Sequence, residues 1–146
     1  MGIHWTEDLS VGVEEIDNQH RALYRCVDLF FDQVKKRNGA GDLPNLFAFL
    51  ESYVTAHFSL EEKYMNRFHN GDGTGYRDEK DHKAEHRAFL RDFTAFREEF
   101  RENGPTPQLV EEFQRWIINW MSGHFGRTDR GLGSFLRSAL PFLKRN

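Results

Sequence analysis

The sequence predicts an all-α fold: an antiparallel up-and-down four-helix bundle with an N-terminal arm and a short C-terminal helix. Three observations predict it. Four segments of roughly 20 residues repeat apolar side chains at spacings of three and four, the pattern of a helix with one buried face. The segments are joined by short stretches rich in Gly, Asn and Pro, which favours antiparallel neighbours. No segment alternates with the two-residue period of a strand over a useful length. The 146 residues suffice for a single domain with a sizeable core, read here as an arm over 1–16, a bundle over 17–130 and an extension over 131–146.

In the arm, Trp5, Leu9, Val11 and Val13 are the residues able to pin it to the body. Asp17 reads as the N-cap of a first helix over about 18–37, whose apolar face carries His20, Leu23, Tyr24, Val27, Phe30, Phe31 and Val34. Asn38-Gly39 ends it with residues that tolerate positive φ. Pro44 suits the first turn of a second helix, about 44–68, with Phe47, Leu50, Tyr53, Val54, His57, Glu61, Met65 and Phe68 along one stripe. The following His69 to Gly75 is a loop by composition; it lacks the alternating acids and closing Glu of a calcium loop.

The third helix, about 78–102, carries His82, His86, Phe89, Phe93, Phe96 and Phe100 on one face, and Asn103-Gly104-Pro105 stops it. The fourth, about 107–126, aligns Leu109, Phe113, Trp116, Ile117, Trp120 and His124. A short fifth helix is expected over about 133–140, ended by Pro141. The 14 Phe suggest a core built from aromatic wedges.

Composition excludes several functions. A mean hydropathy of −0.72 and the absence of an apolar run near the ~20 residues of a membrane span argue against a membrane protein. A formal charge of −3 gives no basic stripe for nucleic acid. Cys26 stands alone, so there is no internal disulfide, and its expected role is a small buried hydrophobe. The first residues have neither a cationic start nor an apolar core, so no signal peptide is expected and the cytoplasm is the default compartment. Gly2 and Thr6 match the loose myristoylation pattern, read here as chance because no basic patch follows.

The informative residues are ionisable ones on apolar stripes. The first helix offers His20, the second His57 with Glu61, the third His82 with His86, and the fourth His124 with Asp129 five residues on. Positions four apart lie about 40° apart on a helix, so the second and third pairs are co-facial. An imidazole can only be an end-on ligand, whereas a carboxylate has two oxygens and can span two metals. Singly, each element has an ordinary reading: a satisfied core histidine, or an exposed pair worth a few tenths of a kcal/mol. Together they do not, because an ordinary core does not turn five imidazoles and a carboxylate inward without partners. Metal ions supply partners for all of them. Asp129 needs separate treatment, since five residues turn a regular helix by about 500° and leave it about 140° from His124. Either the helix ends, which Gly123 and Gly126 would permit, or a π-like turn falls between the two. His4 and His69 are spare histidines on expected loops.

These residues resemble the hemerythrin family, specifically its single-domain bacterial members, the bacteriohemerythrins. The resemblance rests on Trp5, the approach Gly12-Val13-x-x-Ile16-Asp17-x-Gln19-His20, the His57-Phe58-x-x-Glu61-Glu62 stretch, the His82/His86 pair and His124-Phe125-x-x-x-Asp129. It implies two non-haem irons as cofactor. One would be held by His82, His86 and His124 and the other by His20 and His57, with Glu61, Asp129 and an oxo or hydroxo group bridging them. Counting ligands then leaves one coordination position open, where dioxygen would bind reversibly. Leu23, Phe58, Trp120, Met121 and Phe125, one turn from the ligands, would wall a dry oxygen pocket. Met121 stands where a branched aliphatic is more usual, and Tyr24 either faces the pocket with its hydroxyl or sits at the helix edge. The Gly-rich insert before His82 and Arg77, at a position where proline is common, alter loop shape and remove no ligand.

The resemblance implies an oxygen carrier, store or sensor rather than an enzyme. Bundle-type di-iron oxygenases use carboxylate-rich sites, and neutral imidazoles should disfavour high-valent iron. The alternatives are a di-iron oxidoreductase handling peroxide or nitric oxide on the same scaffold, and a module whose shape reports iron or oxygen status. A closed structural zinc site wants four ligands and usually cysteine, which seven candidate ligands fit poorly.

Overall fold

A computed structural model of the chain describes residues 5–36, 43–69 and 75–144. A 3-10 turn, Glu7–Leu9, precedes α1 (Glu14–Lys36), α2 (Leu43–Arg67), α3 (Glu79–Asn103) and α4 (Pro107–Gly123). A π turn, His124–Thr128, joins α4 without a break to α5 (Asp129–Lys144). The described residues contain no strand, and the architecture is an all-α helical bundle. No helix among them is long and apolar enough to cross a membrane.

Side-chain contacts fix the directions. His20 meets His57 and Phe30 meets Phe47, so α1 and α2 run antiparallel. Phe58 meets His86 and Phe47 meets Phe100, which reverses α3 against α2. His86 meets His124 and Phe100 meets Phe113, which reverses α4 against α3. One end of the bundle is a lattice of aromatic rings, with Phe30, Phe47, Phe93 and Phe113 buried and their neighbouring centroids 4.8–5.5 Å apart. Such pairs add to the roughly 1.5–3 kcal/mol that burying each ring supplies. At the other end Val11, Val13, Ile16, Met65, Tyr76, Leu132 and Leu136 form a smaller apolar cluster. The ionisable residues lie between the two along α1, α2 and the approach to α3: Ile16, His20, Leu23 on α1; Phe58, Glu61, Met65 on α2; Tyr76, His82, Phe89 into α3.

Several boundaries differ from expectation, each for a physical reason. Asp17 is not an N-cap. It lies inside α1, with its own N–H bonded to the Val13 carbonyl. Its carboxylate instead accepts the Val11 N–H at 2.8 Å and the Ser10 hydroxyl, tying the arm to the helix. The arm's Trp5 and Leu9 pack on the aromatic core, and Arg21 lies over the Trp5 ring at 4.2 Å. α4 starts at the expected 107; Pro107 sits in its first turn and the Thr106 hydroxyl accepts from the Leu109 N–H. Gly104, at φ 73°, closes α3. α5 starts four residues earlier than the expected 133 and runs past Pro141. The π turn carries the backbone straight into it, and fully buried Leu132 and Leu136 anchor its first turns. The expected stops at Asn38-Gly39 and the Asn70 to Thr74 part of the loop lie outside the described residues.

Candidate metal centre

Seven ionisable side chains converge between the two apolar layers: His20, His57, Glu61, His82, His86, His124 and Asp129, each at most 2% exposed. The pairs on α2 and α3 meet because one helical turn separates their members. His124 and Asp129 meet because the π turn closes an i→i+5 bond, the Asp129 N–H reaching the His124 carbonyl and setting one residue over the other. The ligand atoms fall into two sets. Glu61, His82, His86, His124 and Asp129 form one; His20, His57, Glu61 and Asp129 form the other. The two carboxylates belong to both.

Asp129 divides its oxygens between the sets. Oδ2 lies 2.8 Å from His20 Nε2 and 3.1 Å from His57 Nε2. Oδ1 lies 3.0 Å from His82 Nε2 and 2.9 Å from His124 Nε2. Glu61 Oε1 lies 3.1 Å from His86 Nε2 and 3.4 Å from both His57 and His82 Nε2.

The opposite edges of the rings decide what these contacts are. His57 Nδ1 is 2.9 Å from Gln19 Oε1, His86 Nδ1 is 2.8 Å from Glu62, and His124 Nδ1 is 2.9 Å from Glu85. Each partner is an acceptor, so each Nδ1 carries a proton and donates it. In the neutral ring, Nε2 then points a lone pair into the cluster, towards carboxylate oxygens that also offer only lone pairs. His82 Nδ1 lies 3.1 Å from the Tyr76 hydroxyl. Inside, His82 Nε2, His124 Nε2, Asp129 Oδ1 and Glu61 Oε2 are buried without a hydrogen-bond partner among the described residues. Lone pairs facing each other near 3 Å require a cation between them. Neighbouring corners of an octahedron with bonds of about 2.1 Å are about 3 Å apart, so the spacing fits metal ligands. The donor set of imidazole and carboxylate suits iron among the transition metals.

Electrostatics agree. Burial pushes Asp129 up, but the charge of His124, with the His20 and His57 rings beside it, outweighs that and holds the carboxyl well below its usual range. Burial pushes His82 down, yet the adjacent carboxylates of Asp129 and Glu61 raise it to about 9, and His124 is raised likewise by Asp129. Two buried carboxylates therefore demand positive charge, which protons on the rings or metal ions can supply.

Aromatic rings enclose the cluster unevenly. Phe125 stacks on His20 at 4.1 Å and meets His57 edge-on. Phe58 stacks on His86 at 3.8 Å and Trp120 on His124 at 4.4 Å, so these two lie face-on to the three-histidine set. Leu23 and Met121 are buried in the adjoining core. Tyr24 is buried against Phe125, 5.9 Å between centroids. His69 is exposed, paired with Glu79 away from the cluster, and His4 lies outside the described residues. The sequence reading did not assign the outer partners Gln19, Glu62, Tyr76, Glu85 and Thr128. Gln19 and Glu62 stand within the motifs that carry the family resemblance, next to His20 and Glu61, but spacing alone gives them no partner. For Glu85 there was no sign, because its partner His124 lies on another helix.

Comparison with known proteins agrees with this geometry. The family model described as the Hemerythrin HHE cation binding domain matches residues 11–136. A bacteriohemerythrin from Pseudomonas paraeruginosa is 25% identical over 142 residues, covering 97% of this chain and 86% of the relative. One from Clostridium acetobutylicum is 24% identical over 86% of this chain and 95% of the relative. A hemerythrin-like protein from Nematostella vectensis is 28% identical, covering 86% of this chain and 70% of the relative.

Proposed function

The chain belongs to the hemerythrin family, and from that premise we propose that it binds dioxygen reversibly at a non-haem di-iron centre. The observation that carries the proposal is Asp129, which turns one carboxylate oxygen to each histidine set. His82, His86 and His124 would hold one iron and His20 and His57 the other, with Glu61, Asp129 and a solvent-derived oxo or hydroxo group shared. Such a pair supplies two electrons to dioxygen and recovers them on release. Ligand counting would leave the spare position on the two-histidine side, where Phe125 covers His20 and His57 and would keep water from it, with Leu23 and Met121 buried in the adjoining core. Five neutral imidazoles, in place of the carboxylate-rich set of bundle oxygenases, favour binding over oxidation of a substrate. The extent of the family match supports reading residues 1–146 as one domain.

One observation favours a second reading, a di-iron oxidoreductase acting on peroxide or nitric oxide. Tyr76 is buried and bonded to His82, and Tyr24 is buried against Phe125, which stacks on His20, so phenols are available to pass a proton or electron. The two readings separate by iron analysis with optical spectra of the reduced chain, the chain in air, and the chain after oxygen is removed. Oxygen binding predicts two irons per chain and a spectral cycle that repeats. Irreversible loss of the signal, or turnover of peroxide with a reductant, would assign the enzyme instead. Glu61→Ala and Asp129→Ala should each lose one or both irons; full iron content in both would refute the shared-carboxylate assignment.

A further inference from the structure

We propose that Glu62 and Glu85 are positioning residues that make the three-histidine side of the centre the tighter iron site. The inference rests on the di-iron reading above and concerns a difference between its halves. On the three-histidine side, His86 Nδ1 donates to the Glu62 carboxylate at 2.8 Å and His124 Nδ1 to the Glu85 carboxylate at 2.9 Å. His82 Nδ1 meets a phenol, Tyr76, at 3.1 Å. On the two-histidine side the partners carry no charge. His57 Nδ1 donates to the amide oxygen of Gln19 at 2.9 Å, and the buried His20 Nδ1 has no hydrogen-bond partner among the described residues.

A carboxylate accepting from Nδ1 pulls that proton outward and leaves more electron density at Nε2, which makes the ring a stronger ligand and locks its orientation. An amide does this weakly, and an unpartnered Nδ1 not at all. Glu85 is itself held in place, since the Thr128 hydroxyl donates to both its oxygens, at 2.9 and 3.1 Å. Glu62 and Glu85 are partly exposed, with side chains 35% and 44% accessible, so their action runs through the direct hydrogen bond rather than a screened long-range field. Glu61 and Asp129 are common to both halves and cannot distinguish them. The two sides thus differ in charged support as well as in histidine number.

The test uses the full chain loaded with ferrous iron, equilibrated under nitrogen with graded amounts of a ferrous chelator, and reads iron retained per chain. The wild type should release its irons in two steps, at chelator concentrations at least about tenfold apart. Glu62→Gln and Glu85→Gln keep an acceptor but remove the charge. Each should move the harder step about 10–100-fold towards easier release and leave the easier step in place. Gln19→Glu should do the reverse at the other side, making the easier step harder. A loosened bundle would shift both steps together and could not produce that gain. Release in a single step, a parallel shift of both steps, or no shift in either glutamate variant would overturn the inference while leaving the di-iron reading intact. Retention of fewer than two irons by the loaded wild type would overturn that reading itself.

Discussion

Gly133 carries no side chain because Val11 occupies the space. A Cβ built there would lie 2.2 Å from the Val11 carbonyl oxygen, which is backbone and cannot swing aside. The arm runs across α5 at this point, held from the other side by Asp17 accepting the Val11 N–H. The glycine at the expected start of the short fifth helix is thus the seat for the arm within an unbroken helix. Gly133→Ala should push the arm off α5 and destabilise the fold by about 1–3 kcal/mol, the usual cost of overpacking, measured as a lower urea midpoint with unchanged slope. A midpoint at or above the wild-type value would mean that the arm does not pack where described.

The element on which the site depends is the π turn His124–Thr128. One residue more than an α turn is what lets Asp129 stand over His124 and reach both histidine sets. Inserting a single alanine after Gly126 should rotate Asp129 by about 100° away from the cluster. The expected outcome is unchanged helical circular dichroism with at least half of the iron lost; full iron content would show that the turn does not position Asp129. This element also marks how far the sequence could be read. The step of five between His124 and Asp129, set against a period of 3.6, was enough to require a distortion, and the co-facial pairs on α2 and α3 followed from spacing alone. Periodicity within a helix carries no information about pairings between helices. The bonds from His86 to Glu62 and from His124 to Glu85 were therefore invisible, as was the stacking of Trp120 on His124. Asp17 misled for a related reason: an acid before an apolar run reads as a cap, and nothing local reveals that an upstream N–H has claimed it.

The whole molecule places a highly polar cluster between two apolar layers. The aromatic lattice closes one end, and the Val11–Leu136 cluster closes the other. α1, α2 and α3 each contribute to the polar layer, the π turn that continues α4 supplies His124, and α5 supplies Asp129 from its first residue. Metal bound there would cross-link α1, α2, α3, the π turn and α5, and repay the desolvation of the buried carboxylates. Anomalous diffraction at the iron edge, on crystals of the loaded chain, tests this account most directly. It should show two iron peaks about 3.5 Å apart, one contacting His82, His86 and His124, the other His20 and His57, and both contacting Glu61 and Asp129. A single peak, or a pair that leaves Glu61 and Asp129 without contact to both, would contradict it.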